Sequence, residues 1–264
     1  MDFSIVIPTF RRSAHLREAI GSVLCQKDVT FEVVVIDDSP EGSAESVVRE
    51  FADSRLTYLR NPEPTGGKPS IVRNLGWPRA KGEFVHFLDD DDIVPDGHYA
   101  AVKASFGGAP HVGVVFGRIE PFGDDEKKLQ GERAFFARAG RRAARCQRLG
   151  SRWSFAANMF FQETLLVCGA AVVRRECVAA IQGFDPELSL MEDVDFYARA
   201  IRRFGAHFMD RVSLHYRIGP SLMRRGHQDA VNGSYRRMHA RYRVERGFLE
   251  LNALRALGRV LRVL

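Results

Sequence analysis

The chain has 264 residues, a net charge of +6 and 45% hydrophobic residues, which gives one large domain a substantial core and excludes a disordered chain. Its four cysteines, at 25, 146, 168 and 177, include no CxxC pair, which argues against a disulfide framework or a thiolate metal site and for reduced thiols in a cytoplasmic setting. No apolar stretch approaches the roughly 18–20 residues that span a bilayer, and no basic leader precedes Phe3. The expectation is a cytoplasmic protein, with peripheral contact at the inner membrane face as the further option.

In chain order, the first half alternates strand and helix. Residues 4–8 form a short apolar strand, and 14–26 carry helical spacing at Leu16, Ile20, Val23 and Leu24. Residues 31–36 make a second strand that ends in Asp37-Asp38, with a helix following over 44–51. A third strand covers 56–59. Residues 61–68 are dense in breakers, a helix covers 70–75, and Trp77-Pro78 ends it. Repeated βα units of this size predict right-handed crossovers and a mainly parallel α/β sheet with a Rossmann-like, nucleotide-binding half.

Residues 84–88 then form a continuous apolar run, as in a strand covered on both faces, and end abruptly in Asp89-Asp90-Asp91-Asp92. Four adjacent carboxylates repel one another, so the run needs solvent or a cation. An isolated run of this kind could simply cap the next helix. At the carboxyl end of a buried parallel strand, where α/β sheets bind ligands, hard oxygen donors suit Mg²⁺ or Mn²⁺ held together with substrate phosphates. Pro8-Thr9 and Asp37-Asp38 lie at two further strand ends. Asp38 is placed to accept hydrogen bonds from a base or ribose, or to cap the following helix. Neither GxGxxG nor GxxxxGK[ST] is present, which excludes dinucleotide and P-loop chemistry.

In the second half, residues 165–173 are apolar and include Cys168-Gly169-Ala170-Ala171, small enough for a strand close to a bound sugar. A short helix starts near Arg175, residues 181–186 turn, and Glu192-Asp193 open a helix that runs through Phe204. A carboxylate at a helix amino terminus is held ionised, either as a cap or as a base. Residues 212–217 form a last strand.

These motifs, in this order, resemble family 2 glycosyltransferases of GT-A fold. The pieces are SIVIPTF, VVVIDDS, Gly66-Gly67-Lys68 with Arg73-Asn74, KGEFVHFLDDDD, Val173-Arg174-Arg175, Gly183-Phe184-Asp185 and Met191 to Asp195. The resemblance covers about residues 3–221. It implies a domain over 1–222, with a nucleotide-sugar half at 1–120 and an acceptor half at 121–222, and a basic helical extension at 223–264. It also implies Mn²⁺ or Mg²⁺ as cofactor and a nucleoside-diphosphate sugar donor, UDP first. The acceptor hydroxyl would belong to a glycan, a lipid-linked sugar or a small molecule.

Position by position, Asp89 and Asp91 match the DxD signature. The first acid, with Asp90 beside it, lies on the nucleotide side, and Asp91 or Asp92 holds the cation. Asp38 matches the nucleobase position, Pro8, Thr9 and Arg11 approach the nucleotide, and Arg73 resembles a uracil- or phosphate-proximal arginine. Lys68 reinforces the phosphate side or is simply a solvated loop lysine. Asp193 matches the catalytic base of inverting members, with Glu192 orienting the acceptor. His215 and Arg217 match a segment that closes over the diphosphate, His215 as a metal ligand.

Two basic features stand outside these motifs. Arg138, Arg142, Arg145 and Arg152 are expected to share one helical face. From Arg224 to the end, ten arginines face only Asp229, Glu245 and Glu250. The apolar stripe Leu254, Leu257, Leu261 and Leu264 suits an anionic membrane, a homodimer or a core contact. No nucleic-acid motif or stacking platform accompanies the arginines. The alternatives in other classes are a non-catalytic nucleotide-sugar-binding protein and a sugar-nucleotide pyrophosphorylase. The latter should carry a Gly-rich basic loop where Pro8 to Arg12 stands.

Overall fold

The computed structural model describes residues 1–150, 152–219 and 228–263. Strands β1 (Phe3–Thr9), β2 (Phe31–Asp37), β3 (Leu56–Arg60) and β4 (Phe84–Phe87) run parallel, with β1 between β2 and β4. Every residue of β2 and β4 is buried, because helices cover both faces. The crossovers contain α1 (Ser13–Leu24), α2 (Glu45–Glu50) and α3 (Pro69–Gly76), the last with Pro69 at a first-turn position where no amide donor is needed.

The sheet continues through the second half. Helix α4 (His98–Gly108) leads to β5 (Val114–Phe122), then come α5 (Glu126–Arg148), α6 (Arg152–Phe161), β6 (Ala171–Arg174), α7 (Arg175–Ala180), α8 (Glu192–Phe204) and β7 (Ala206–Arg217). The seven strands lie in the order β3-β2-β1-β4-β6-β5-β7, with β6 antiparallel to both of its neighbours. This is the mixed, mainly parallel α/β architecture expected. Helix α4 and strand β5 add to it: β5 is wholly buried over residues 114–117 and alternates only from Arg118 on, where its register with β7 shifts.

Three expectations change. The apolar stretch 165–173 is not one strand. Residues 168–170 make a turn whose carbonyls, with that of Ala171, accept from buried side chains: Tyr197 Oη donates to Cys168 and Ala171, and a His86 ring nitrogen pairs with Gly169. The small residues there fit under Leu214, 3.1 Å from where a Cβ on Gly169 would stand. The basic face breaks, because α5 ends at Arg148 and Gly150 turns with φ of 61°. Arg152 therefore belongs to α6, where it donates to the Arg203 carbonyl.

The tail forms α9 (Gln228–Arg246) and α10 (Phe248–Val263). Leu251, Leu254 and Leu261 are buried, and Gly258 brings α10 so close to α6 that an added Cβ would stand 3.0 Å from Phe161. The leucine stripe is thus a core contact with α6 and not a surface free for a membrane or a second chain. Leu264 and the 222/223 boundary lie outside the described residues. Among the described residues, no helix is long and apolar enough to cross a membrane.

Candidate active site

The carboxyl ends of β1, β2 and β4 converge because these strands are neighbours in register: Thr9 pairs with Asp37, and Leu88 N bonds the Val6 carbonyl at 3.0 Å. Pro8, half-buried, precedes Thr9, whose hydroxyl donates to Asp90 at 2.7 Å. The four acids then turn, with Asp92 N on the Asp89 carbonyl. Asp89 and Asp91 keep about 30% of their side chains exposed, at 31% and 28%, whereas Asp92 is fully buried. One Asp92 oxygen accepts from Arg217 N at 2.9 Å, and the other has no partner among the described residues. Arg217 also donates from Nε to the Asp91 carbonyl at 2.8 Å, so it braces the acidic turn.

The arginine that meets the acids from β1 is Arg12, which bridges Asp90 at 3.1 Å and Asp91 at 2.7 Å. Arg11 faces away and pairs with Glu41 at 2.7 Å. The backbone explains the exchange: Arg11 is in the left-handed region, φ 57°, which turns its side chain out and brings the next one in. Nothing in an Arg-Arg pair signals which member does this.

Asp38 is buried and accepts from Asn61 Nδ2, the Thr65 amide and hydroxyl, and the Gly67 amide, at 2.6–3.2 Å. It orders the 61–68 loop over the site. Asp37, not Asp38, supports the following helix, accepting from Ala44 N at 2.8 Å. Lys68 is exposed at the edge of that loop. His215 sits on β7 with Nδ1 3.3 Å from Glu120, opposite it in register, so the structure does not bring its ring to the acids.

Helix α3 joins the two halves. Arg73, 3% exposed, donates to Asp89 at 2.6 Å and to Glu192 at 2.9 Å, and lies over the Phe184 ring at 5.3 Å. Asn74 exchanges two 2.9 Å hydrogen bonds with the Phe184 backbone. Ser70 donates to the Leu188 carbonyl. The 183–188 segment therefore docks on α3, and with it the start of α8. Met191 precedes that helix at φ 63°, a strained conformation of the kind that collects at functional sites, and Glu192 and Asp193 fill the first turn. Acid clusters one hundred residues apart in the sequence meet across one guanidinium.

Electrostatics follow from this crowding. Burial, then the neighbouring Glu192, pushes Asp193 up to about 7. Burial lifts Asp90 to about 6 against the pull of Arg12 and Thr9. Burial and then Asp89 raise Asp91, and burial and then Asp91 raise Asp92 well above the carboxylate range. Arg12, Arg73 and Arg217 leave this set of six acids net negative. It fits a hard divalent cation at its partly exposed acids, whereas the unpartnered Asp92 oxygen faces inward, 3.5 Å from where a Cβ on Gly169 would stand. Among the described residues, no three acid, histidine or cysteine side chains converge on one point. The protein alone therefore offers one or two carboxylates, the usual complement where substrate phosphates complete a Mg²⁺ shell.

The model of the family described as glycosyl transferase family 2 matches residues 4–178. The chain belongs to glycosyltransferase family 2. Among the relatives of this glycosyltransferase-family chain is the Campylobacter jejuni GalNAc(5)-diNAcBac-PP-undecaprenol beta-1,3-glucosyltransferase, 36% identical over 135 residues, which are 49% of this chain and 42% of that one. The chain thus spans less than half of that relative. Staphylococcus aureus TarS 1–349 in complex with UDP-GlcNAc superposes with a TM-score of 0.68 at 20% identity, over 93% of this chain and 66% of that one. The mannosyltransferase PcManGT from Pyrobaculum calidifontis, in complex with GDP-Man and Mn²⁺, gives 0.58 at 17% identity, over 99% and 80%. These likenesses establish the GT-A fold.

Proposed function

We propose that this protein transfers a sugar from a UDP-sugar to an acceptor hydroxyl with inversion at the anomeric carbon. The observation that carries the reading is Arg73, which ties Asp89 of the strand-end acids to Glu192, next to Asp193. A nucleotide-binding edge and a base-bearing helix start thereby face one site. Asp193, poised near 7, accepts the proton of the acceptor hydroxyl as its oxygen attacks C1, and the C1–O bond to the diphosphate breaks on the opposite face. Glu192, fixed by Arg73, orients that acceptor. Thr9, Asp89 and Asp90 form the nucleotide side, and Asp38 holds the loop that covers it. Arg12, which bridges Asp90 and Asp91, takes the nucleotide-side position that the sequence suggested for Arg11.

Asp91 is the acid that would hold Mn²⁺ or Mg²⁺, since Asp92 is buried behind it, and the cation would supply Lewis-acid neutralisation of the departing diphosphate. PcManGT with its GDP-Man and Mn²⁺, and TarS with its UDP-GlcNAc, support a metal-assisted nucleotide-sugar reading. The C. jejuni relative's PP-undecaprenol name supports a lipid-linked acceptor. A thermal-shift panel of UDP, dTDP and GDP, each with and without Mn²⁺, tests the donor side; UDP with Mn²⁺ is expected to stabilise most. NMR of the product then reads stereochemistry. A β-glycoside from an α-linked donor is expected, and a retained configuration would contradict single displacement. Donor binding without transfer to any hydroxyl acceptor would point to a non-catalytic binder.

A further inference from the structure

Helix α9 lies beyond residues 4–178 that the family model matches, yet it packs along α8 from its start. The contacts climb the two helices in step. Arg237 meets Asp185, in the turn ahead of α8, at 2.9 Å, and Arg241 stands 4.0 Å from Asp195 in the first turn of α8. Near the other end, Glu250 accepts from Tyr242 Oη and pairs at 2.9 Å with Arg202 of the last turn. Asp185 is buried, and Arg241 also reaches it at 3.4 Å, so these ion pairs hold α9 in register against α8.

Tyr235 comes two residues before Arg237 and about 9 Å before Arg241 along the axis of α9, which brings it to the level where α8 begins and Asp193 stands. An aromatic row fixes its ring. Tyr235 lies 6.1 Å from His239, whose Nε2 donates to the Phe160 carbonyl at 3.0 Å and whose ring stacks on Phe161 at 4.7 Å. The Tyr235 side chain is half-buried, and among the described residues its hydroxyl has no hydrogen-bond partner and is not sealed from solvent. Burial raises the phenol, and among the described residues Asp193 is the one charge that raises it further. A phenol that senses Asp193, and none of the strand-end acids, lies on the side of the base and away from the nucleotide edge.

We infer that Tyr235 is an acceptor-contacting residue, whose hydroxyl hydrogen-bonds the acceptor sugar beside the hydroxyl that faces Asp193. This rests on the reading of Asp193 as the base. A sugar carries hydroxyls on adjacent carbons, so one can meet Asp193 while its neighbour meets the phenol, which both donates and accepts. One polar group placed in this way fixes the orientation of a bound ligand.

Saturation-transfer NMR titrations of the methyl glycosides of glucose, galactose and N-acetylglucosamine, with UDP and Mn²⁺ present, test the contact without turnover, since UDP carries no sugar to transfer. Wild type should bind at least one of them, and Tyr235→Phe should bind it about three- to tenfold more weakly. UDP affinity by calorimetry and the melting temperature should stay as in wild type, because the lost hydroxyl leaves no partner behind. Equal glycoside affinity in the two proteins, or binding of none of the glycosides by wild type, would overturn the contact. So would a melting temperature that falls with the glycoside affinity, which would make the hydroxyl structural.

A second arm uses the bound glycoside as acceptor and UDP-glucose or UDP-GlcNAc as donor. Tyr235→Phe should raise acceptor KM by the same factor and leave donor KM unchanged. A rise in donor KM instead would place Tyr235 on the nucleotide side and overturn the assignment. Transfer by neither protein, with glycoside binding still weakened in Tyr235→Phe, would count against Asp193 as the base and uphold the contact.

Discussion

Arg73 is the residue on which both acid clusters depend. It is buried, and its two terminal nitrogens serve acids from different halves of the sheet. Replacing it with methionine leaves Glu192 buried without its cation, and removal of one partner of such a pair costs about 3–5 kcal/mol. Urea unfolding of Arg73→Met should show that loss, and a stability within about 1 kcal/mol of wild type would contradict the bridge. Asp193 makes the opposite trade. Its folded pKa, about 7, stands above the ordinary 3.8, so the folded protein binds the proton more tightly. Its contribution to stability is therefore greatest below pH 4 and declines as pH rises to about 7. Asp193→Asn should then melt higher than wild type at pH 8, by about 1–3 kcal/mol, with the gain vanishing near pH 4. An equal difference at both pH values would show that Asp193 is not strained by burial. The sequence displayed Arg73, Asp89, Glu192 and Asp193, because their motifs fix both type and spacing. It did not display Arg12, since a single positive φ at Arg11 decides which of two adjacent arginines turns inward.

Among the elements, α3 and the 183–188 turn form the joint. Gly183 sits at φ 70°, and a Cβ there would stand 2.4 Å from Asn74 Oδ1 and 2.6 Å from Trp77 Nε1. Gly183→Ala combines backbone strain with overpacking and should cost about 2–4 kcal/mol. Because the turn carries the start of α8, kcat should fall too, and a variant with unchanged kcat and melting temperature would separate the turn from the site. The α3 helix and the acidic strand end were legible in sequence because hydrophobic runs and breakers bound them. The turn at 168–170 was not, since its conformation is set by Tyr197 and His86 far along the chain. The α5/α6 break was equally hidden in an arginine pattern that reads as one face.

At the scale of the whole molecule, the basic tail is part of the fold. Leu251, Leu254 and Leu261 are buried, and Arg202 reaches Glu250 of α10 across the surface of α8. Deleting residues 248–264 should remove about 6 kcal/mol of apolar burial, at about 2 kcal/mol per leucine, and lower the melting temperature by many degrees. A truncated protein with the melting temperature of the full chain would make the tail an appendage after all. Charge counting found the tail's excess of arginine but not its partner, because which surface a leucine stripe covers is decided by packing against α6. The α/β class and the parallel core followed from repeated strand-helix units, while the antiparallel insertion of β6 left no mark in periodicity. The proposed transfer turns on Asp193 as the base within reach of a nucleotide site. Steady-state turnover of Asp193→Asn beside UDP affinity tests it most directly: kcat should fall about 10²- to 10⁴-fold with UDP binding retained, and turnover equal to wild type would contradict it.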